Sequence, residues 1–338
     1  MKYVYLGFPF PHHKGTHAGY HRIREYLQYD YFINCEDFYS RCQKKHSNIL
    51  ERIFRGIKRR LWDFPIFPYH IFRCILMGLR YDNLVFHFIY SENTYINFRK
   101  FIRKTNKIVL TIHQPYEWFD NELWKKKLRS ADRIIILSET EKQKFLDLLG
   151  GDKVEFIPHG IDVDFYKPSD IQKPTGQILT VGNWLRDFNF ADKVYQEIKK
   201  KNPNVIINIV SNLENMKFIS DNSRINFMSG ISDEELRKLY QQSSVLFLPL
   251  TRFTANNALL EAASSGCNIL IASNGQDKSY LPEKYISILE MDVNRVVDRI
   301  MEMLDNPVVE AKQLREYVQK EYSWKVIAQQ TESIFKKI

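Results

Sequence analysis

The chain has 338 residues, 44% of them hydrophobic and 26% charged, enough apolar material for two ordinary globular domains. No apolar run reaches the length of a membrane span, and the first residues enter a strand-like stretch without signal-peptide architecture. The net charge of +9 is uneven: residues 1–165 hold 27 Lys and Arg against 19 Asp and Glu, a net +8, which calls for an anionic partner on the first half.

In chain order, "KYVYLGF" (2–8), "NLVFHFIY" (83–90), "KIVLTIHQ" (107–114) and "DRIIILS" (132–138) are nearly continuous apolar runs. Strands buried on both faces of a parallel sheet have that pattern. "HRIREYLQ" (21–28) and "NELWKKKLRS" (121–130) read as helices between them, and "KVEFIPHGID" (153–162) as a further strand ending in a turn. Residues 166–177, "YKPSDIQKPTGQ", have the composition of a linker. The pattern then restarts with strands at 178–183, 204–212, 225–230, 244–250 and 268–273. The expected fold is α/β, with two doubly wound Rossmann-like domains facing a cleft. The division is 1–165, linker 166–177, 178–320, and a closing helix over 321–338.

Cys35, Cys42, Cys74 and Cys267 lack metal-ligand or redox spacing, so reduced thiols in a cytoplasmic protein are the simple expectation. His12, His13 and His17 lack a companion carboxylate cluster, and no metal site is expected.

The stretch "TRFTANNALLEAASSG" (251–266) follows an apolar strand and precedes another. Thr254, Asn256 and Asn257 suit a helix N-terminus, where free N–H groups and the positive dipole end attract a phosphate. Glu261, one turn further on, could accept hydrogen bonds from a ribose diol, or could simply pair with a neighbouring Arg or Lys. Arg186 in "VGNWLRDF" could grip two phosphate oxygens, or pair with Asp187 at the surface. Arg252 is the reserve. Gly15 and Gly19 in "HKGTHAGY" fit a backbone approach to a phosphate or sugar and equally fit a plain turn. His113 closes a strand, as a capping residue or a ligand contact. "NILERIFRGIKRRLWDFPIFPYH" (48–70) reads as a cationic amphipathic helix and an aromatic segment, suited either to a core-facing position or to an anionic membrane surface.

These motifs resemble the GT-B glycosyltransferases of the family 4 type. "YLGFPFPHHKGTHAGYHRIREYL" resembles the N-terminal glycine loop and first helix, and "VLTIHQPY" the strand ending in a histidine near the donor sugar. "ADRIIILSETEKQKF" and "VEFIPHGID" resemble the elements before the interdomain crossing, and "ILTVGNWLRDF" the opening of the second domain. "ISDEELRKLYQQSSVLFLPL" resembles the run into the donor helix, and "YSWKVIAQQTESIF" the closing helix. By this resemblance Glu261 is the second glutamate of the signature helix, while Phe253 stands where the first is usual. Asn183 and Phe188 stand where the family has basic residues, which leaves Arg186. The resemblance implies donor binding by Gly15, Gly19, Gly182, Arg186, Asn256, Asn257 and Glu261, and a catalytic contact from His113.

The implied activity is metal-independent transfer of a sugar from a nucleotide-diphosphate donor to a hydroxyl of a saccharide or lipid-linked acceptor. Retention is the family's usual course, and bacterial envelope polysaccharide or glycolipid synthesis its usual setting. No cofactor beyond the nucleotide sugar is implied, and the enzyme would be cytoplasmic or peripheral on the inner membrane face. Two other readings stand beside it: a nucleotide-sugar 2-epimerase of the same fold, and a basic nucleic-acid-binding protein. The second would leave the motifs of the second half unexplained.

Overall fold

The structure is a computed structural model that describes residues 1–36, 68–169, 176–252, 256–274, 281–305 and 311–338. The basic segment 48–67, Cys42, positions 170–175 of the linker, Phe253 and Thr254 lie outside the described residues. The chain divides into two compact units. Unit 1 comprises Met1–Pro11, Arg24–Ile157 and Gln330–Ile338; unit 2 comprises His12–Ile23 and Pro158–Gln329. The glycine-containing loop near the N-terminus therefore packs with the second half of the sequence.

Unit 1 is built on six parallel strands: β1 (Lys2–Gly7), β2 (Tyr31–Asn34), β3 (Leu84–Phe88), β4 (Lys107–Ile112), β5 (Arg133–Ile136) and β6 (Val154–Phe156). Their order is β2-β1-β3-β4-β5-β6. Every residue of β3 is buried, as expected for a strand covered on both faces. Helices α1 (Tyr69–Arg80), α2 (Glu122–Arg129) and α3 (Lys142–Leu149) lie between the strands in the chain. The side chain of Asn121 accepts the N–H of Trp124 and so starts α2. The stretch read as a helix over 21–28 is instead a 3-10 segment, Tyr20–Glu25, along which the chain passes from one unit to the other. β2 is short, with only Ile33 buried among its four residues, and its sequence lacks the apolar run that marks its neighbours.

Unit 2 repeats the plan with β7 (Gln177–Val181), β8 (Ile206–Val210), β9 (Ile225–Met228), β10 (Val245–Pro249), β11 (Asn268–Ala272) and β12 (Ser287–Leu289), ordered β12-β11-β10-β7-β8-β9 and parallel throughout. The helices are α4 (Phe188–Lys201), α5 (Asp233–Gln242), α6 (Asn257–Ser264), α7 (Val293–Asp305) and α8 (Ala311–Tyr322), while α9 (Trp324–Lys336) begins in unit 2 and ends in unit 1. Strand side chains alternate between faces. Leu246 and Leu248 of β10 join a core with Leu259, Leu260 and Ala263 of α6. Val245 and Phe247 join the opposite core, with Val194 and Ile198 of α4 and Val297 and Ile300 of α7. Residues 188, 191, 194/195 and 198 of α4 recur at helical spacing and are buried, Asp187 caps its start, and Lys199–Lys201 end it where the dipole favours cations. A Ser232–Glu235 capping box starts α5.

In both sheets the chain reverses its direction of growth at one point, between β1 and β3 in unit 1 and between β7 and β10 in unit 2. The crevice beyond the carboxyl ends of such strands is where open α/β sheets bind ligands.

Candidate functional site

At the unit 2 switch point the segment after β7 meets the segment after β10. The chain turns sharply at Gly182 (φ +108°) and Leu185 (φ +57°), and Arg186 forms an antiparallel bridge with Leu250. The N–H groups of Asp187 and Thr251 donate to the carbonyls of Pro249 (2.9 Å) and Leu185 (3.1 Å), which locks the two segments together. Arg186 folds back over its own loop: Nε donates to the Val181 carbonyl at 3.0 Å and Nη1 to that of Trp184 at 3.0 Å. Nη2 reaches Asn256 Oδ1 at 3.4 Å.

Asn256 is the N-cap of α6, and the same Oδ1 accepts the N–H of Leu259 at 3.4 Å. Its Nδ2 is buried without a hydrogen-bond partner among the described residues. Arg186 pairs with no carboxylate among those residues. Asp187, its sequence neighbour, instead accepts the N–H of Phe190 at 2.9 Å and caps α4. Burial lowers the Arg186 pKa to about 10, which still leaves the guanidinium charged at neutral pH. A cation without a carboxylate partner among the described residues thus sits at the positive end of a helix. That arrangement is suited to an anion with several oxygens.

One turn into α6, Glu261 is buried at 3% exposure. Its partner is neither Arg nor Lys: the hydroxyl of Tyr240 on α5 donates to Oε2 at 2.8 Å. Burial pushes the carboxyl pKa up to about 7. The Tyr240 hydrogen bond pulls it down, Asp233 pushes it further up, and the Tyr166 hydroxyl pulls it down. The Tyr166 hydroxyl itself makes no well-aligned hydrogen bond. A buried carboxylate with one neutral donor keeps most of its accepting capacity. Asn257 precedes Glu261 by one turn, at the half-buried first position of α6.

Gly15 (φ +73°) and Gly19 (φ +95°) both occupy the left-handed region. A Cβ at Gly15 would meet open space, whereas at Gly19 it would lie 2.8 Å from His21 Nδ1. Their loop is tied to unit 2 by residues that no sequence pattern marked. His17 Nδ1 lies 2.7 Å from Asp162 Oδ2, and Arg22 Nη2 donates to the same oxygen at 3.1 Å. The His17 backbone N–H donates to Asp233, and the ring stacks on Phe165 with centroids 3.6 Å apart. Arg237 lies over the Phe165 ring as well, at 4.6 Å. Asp162, which reads from sequence as a turn residue, is the centre of this cluster. Trp184 is a second residue without a sequence signal; it is 64% exposed and beside Arg186.

Of the candidate residues, Gly182, Arg186 and Asn256 are in contact, Glu261 is one turn along the same helix, and Gly15 and Gly19 are in the same unit. His113 is not among them. It follows β4 in unit 1, where its backbone N–H donates to Glu92 Oε1 at 3.1 Å and its ring packs on Tyr90 at 4.7 Å.

Two six-stranded parallel sheets of this kind are shared by solved GT-B proteins. Over 99% of this chain and 98% of the other, the fold matches a glycosyltransferase from Rickettsia africae ESF-5 with a TM-score of 0.66 at 12% identity. It also matches a variant of S. aureus TarM in complex with Fondaparinux, alpha-GlcNAc-glycerol and UDP, with a TM-score of 0.61 at 14% identity, over 80% of this chain and 59% of that one. The class is therefore the GT-B fold. Residues 34–165 match the family model described as Glycosyltransferase Family 4. A curated relative from Arabidopsis thaliana, one component of its phosphatidylinositol N-acetylglucosaminyltransferase, is 23% identical over 252 residues, 68% of this chain. The match spans 56% of that relative's length. The fold is therefore shared with GT-B proteins, and the partial family match and the relative are both similarities to glycosyltransferases of the family 4 type.

Proposed function

We propose that the protein is a nucleotide-sugar-dependent glycosyltransferase that moves a sugar from a nucleotide-diphosphate donor to a hydroxyl of a saccharide or lipid-linked acceptor. The observation that carries this reading is the contact between Arg186 and Asn256, which sets a guanidinium with no carboxylate partner among the described residues at the start of α6. In that reading unit 2 holds the nucleotide. Arg186 and the first turn of α6 take the diphosphate, Glu261 accepts the ribose hydroxyls, and Gly182 leaves room for the guanidinium. Charge develops on the diphosphate as the sugar departs, and fixed donors of this kind lower the barrier without reorganising. His113 is assigned to contact with the sugar by resemblance, and Gly15 and Gly19 to backbone contacts. Retention of configuration and a role in envelope polysaccharide or glycolipid synthesis are the family's habits and complete the proposal.

The relatives support the choice of first donor. The Arabidopsis relative is named for N-acetylglucosaminyl transfer, and the TarM structure contains UDP and alpha-GlcNAc-glycerol. UDP-N-acetylglucosamine is accordingly the donor to test first. Calorimetry of UDP, GDP, ADP, CDP and dTDP against the native chain and Arg186→Ala tests the reading. One diphosphate should bind, with at least a tenfold loss in the variant. Equal binding to both, or no binding at all, counts against it.

A peripheral place on an anionic membrane is the second part of the proposal. Among the described residues no helix is long and apolar enough to cross a membrane. On α1, however, Tyr69, Phe72, Leu76 and Leu79 are exposed at 76%, 51%, 51% and 53%, with Arg73 and Arg80 also exposed on the helix. Apolar side chains with cationic companions suit a headgroup interface. Flotation with phosphatidylglycerol vesicles should carry the protein upward, and Phe72→Asp with Leu76→Asp should abolish it. Flotation that the double variant leaves unchanged would remove α1 from the proposal.

A further inference from the structure

Beside the unit 1 switch point, at the ends of β3 and β4, His113 meets a carboxylate that the donor-site reading does not use. Glu92 belongs to a single helical turn, Ser91–Thr94, that follows β3; His113 is the first residue after β4. The two strands are neighbours, in register from Val85↔Lys107 to Phe88↔Leu110. The turn is fixed in place. Ser91 Oγ donates to the Thr111 carbonyl at 2.7 Å, Thr94 Oγ1 donates to the Tyr90 carbonyl at 2.8 Å, and His70 Nε2 donates to the Thr94 carbonyl at 2.9 Å.

From that turn the Glu92 carboxylate reaches across to β4. Oε1 accepts the backbone N–H of His113 at 3.1 Å and also stands 3.4 Å from its Nδ1. The Glu92 side chain is 6% exposed and that of His113 16%. Oε2 of Glu92 has no hydrogen-bond partner among the described residues. A neutral amide would cap that backbone N–H equally well and cost far less to bury, so capping alone does not account for a carboxylate here. What the charge adds is its effect on the imidazole. At 3.4 Å, without the alignment of a hydrogen bond, the carboxylate acts on the ring through its charge: it favours the ring proton on Nδ1 and leaves Nε2 as the acceptor.

We infer that Glu92 is the positioning residue for His113, holding the ring in the Nδ1–H tautomer so that Nε2 accepts a hydrogen bond from a hydroxyl of the bound sugar. The part concerning the sugar rests on the reading above that His113 meets it; the orientation of the ring stands on unit 1 alone. Ring contact between His113 and Tyr90, with centroids 4.7 Å apart, restrains the same imidazole from a second direction in sequence.

The test is long-range 1H–15N spectroscopy of the neutral ring in full-length protein labelled at histidine, with His113 assigned by loss of its signals in His113→Gln. The native protein should show Nδ1–H, against the slight preference of free imidazole for Nε2–H. Glu92→Gln keeps an oxygen for the backbone N–H but removes the charge, and should move the ring to mixed or Nε2–H character. In UDP-N-acetylglucosamine turnover the same variant should lose at least tenfold in kcat, with UDP affinity within twofold of native. An Nε2–H ring in the native protein overturns the inference, and so does a tautomer indifferent to Glu92→Gln. Should Glu92→Gln fail to fold, the native spectrum still decides. If the native protein turns over no nucleotide sugar, the functional reading fails while the spectra judge the orientation independently.

Discussion

Gly182 is the floor on which Arg186 lies: a Cβ there would come within 2.8 Å of Nη2 and 3.1 Å of Cζ. The same glycine has φ +108°, which side chains rarely adopt. Gly182→Ala is therefore expected to displace the guanidinium from Asn256 as well as strain the turn, at about 1–3 kcal/mol of stability. Nucleoside diphosphate affinity should fall with it. Chemical denaturation and calorimetry on the same sample check both; a stable variant with native affinity would show that the contact is incidental.

Arg186→Lys separates charge from shape. A lysine keeps the cation but cannot donate simultaneously to the Val181, Trp184 and Asn256 oxygens. Diphosphate binding should weaken by about 1.4 kcal/mol or more, a factor of ten, and Arg186→Ala should weaken it further. Affinities in the order native, Lys, Ala are expected from isothermal titration, and a lysine variant equal to native would mean that only net charge matters.

Glu261 makes a pH prediction whose sign can be worked out. Its folded pKa is raised from 4.5 to about 7, chiefly by burial, so the native state holds this proton more tightly than the unfolded chain does. Stability from that proton is complete below about pH 4.5 and is lost as the pH rises through about 7. Glu261→Gln does not titrate. The unfolding free energy of the variant should gain on the native protein between about pH 5 and 8, by an amount on the order of 1–3 kcal/mol. Denaturant curves run in parallel across that range check it; a constant difference would place the carboxyl pKa elsewhere.

Asp162 joins the N-terminal loop to the rest of unit 2 through His17 and Arg22, with its side chain 9% exposed and that of Arg22 13%. Removing the carboxylate leaves Arg22 without this partner in a poorly solvated place. Asp162→Ala should cost about 3 kcal/mol, and Asp162→Asn less. Hydrogen exchange over residues 12–23 should quicken in the alanine variant while β10 and β11 remain protected; uniform exchange would argue against a local fastening.

Much of the fold was legible because burial on both faces leaves a plain mark. Strands such as β3 and β10 are unbroken apolar runs, whereas the caps at Asn121, Asp187 and Ser232 became apparent only in the structure. β2 and β12 carried no such mark. β2 is mostly exposed, and all three residues of β12 are only partly buried, so neither needed the pattern that reveals a strand. The 3-10 segment Tyr20–Glu25 read as an ordinary helix because its apolar positions follow a helical spacing.

By itself the sequence determined the two parallel-sheet halves, the helix beginning at Asn257 and the burial-prone character of Glu261. Only the tertiary structure decided the partners. Arg186 lies next to Asp187 in the chain yet turns to Asn256, 70 residues away, because Asp187 is committed to the start of α4. Glu261 rests on Tyr240, 21 residues earlier, and not on a cation. His17 finds Asp162 across 145 residues of chain, and His113 finds Glu92 across 21. Local propensity and periodicity act over a few residues and are written in consecutive letters. Pairings between elements depend on which strand ends the sheet order brings together, and that order is settled by packing the whole core.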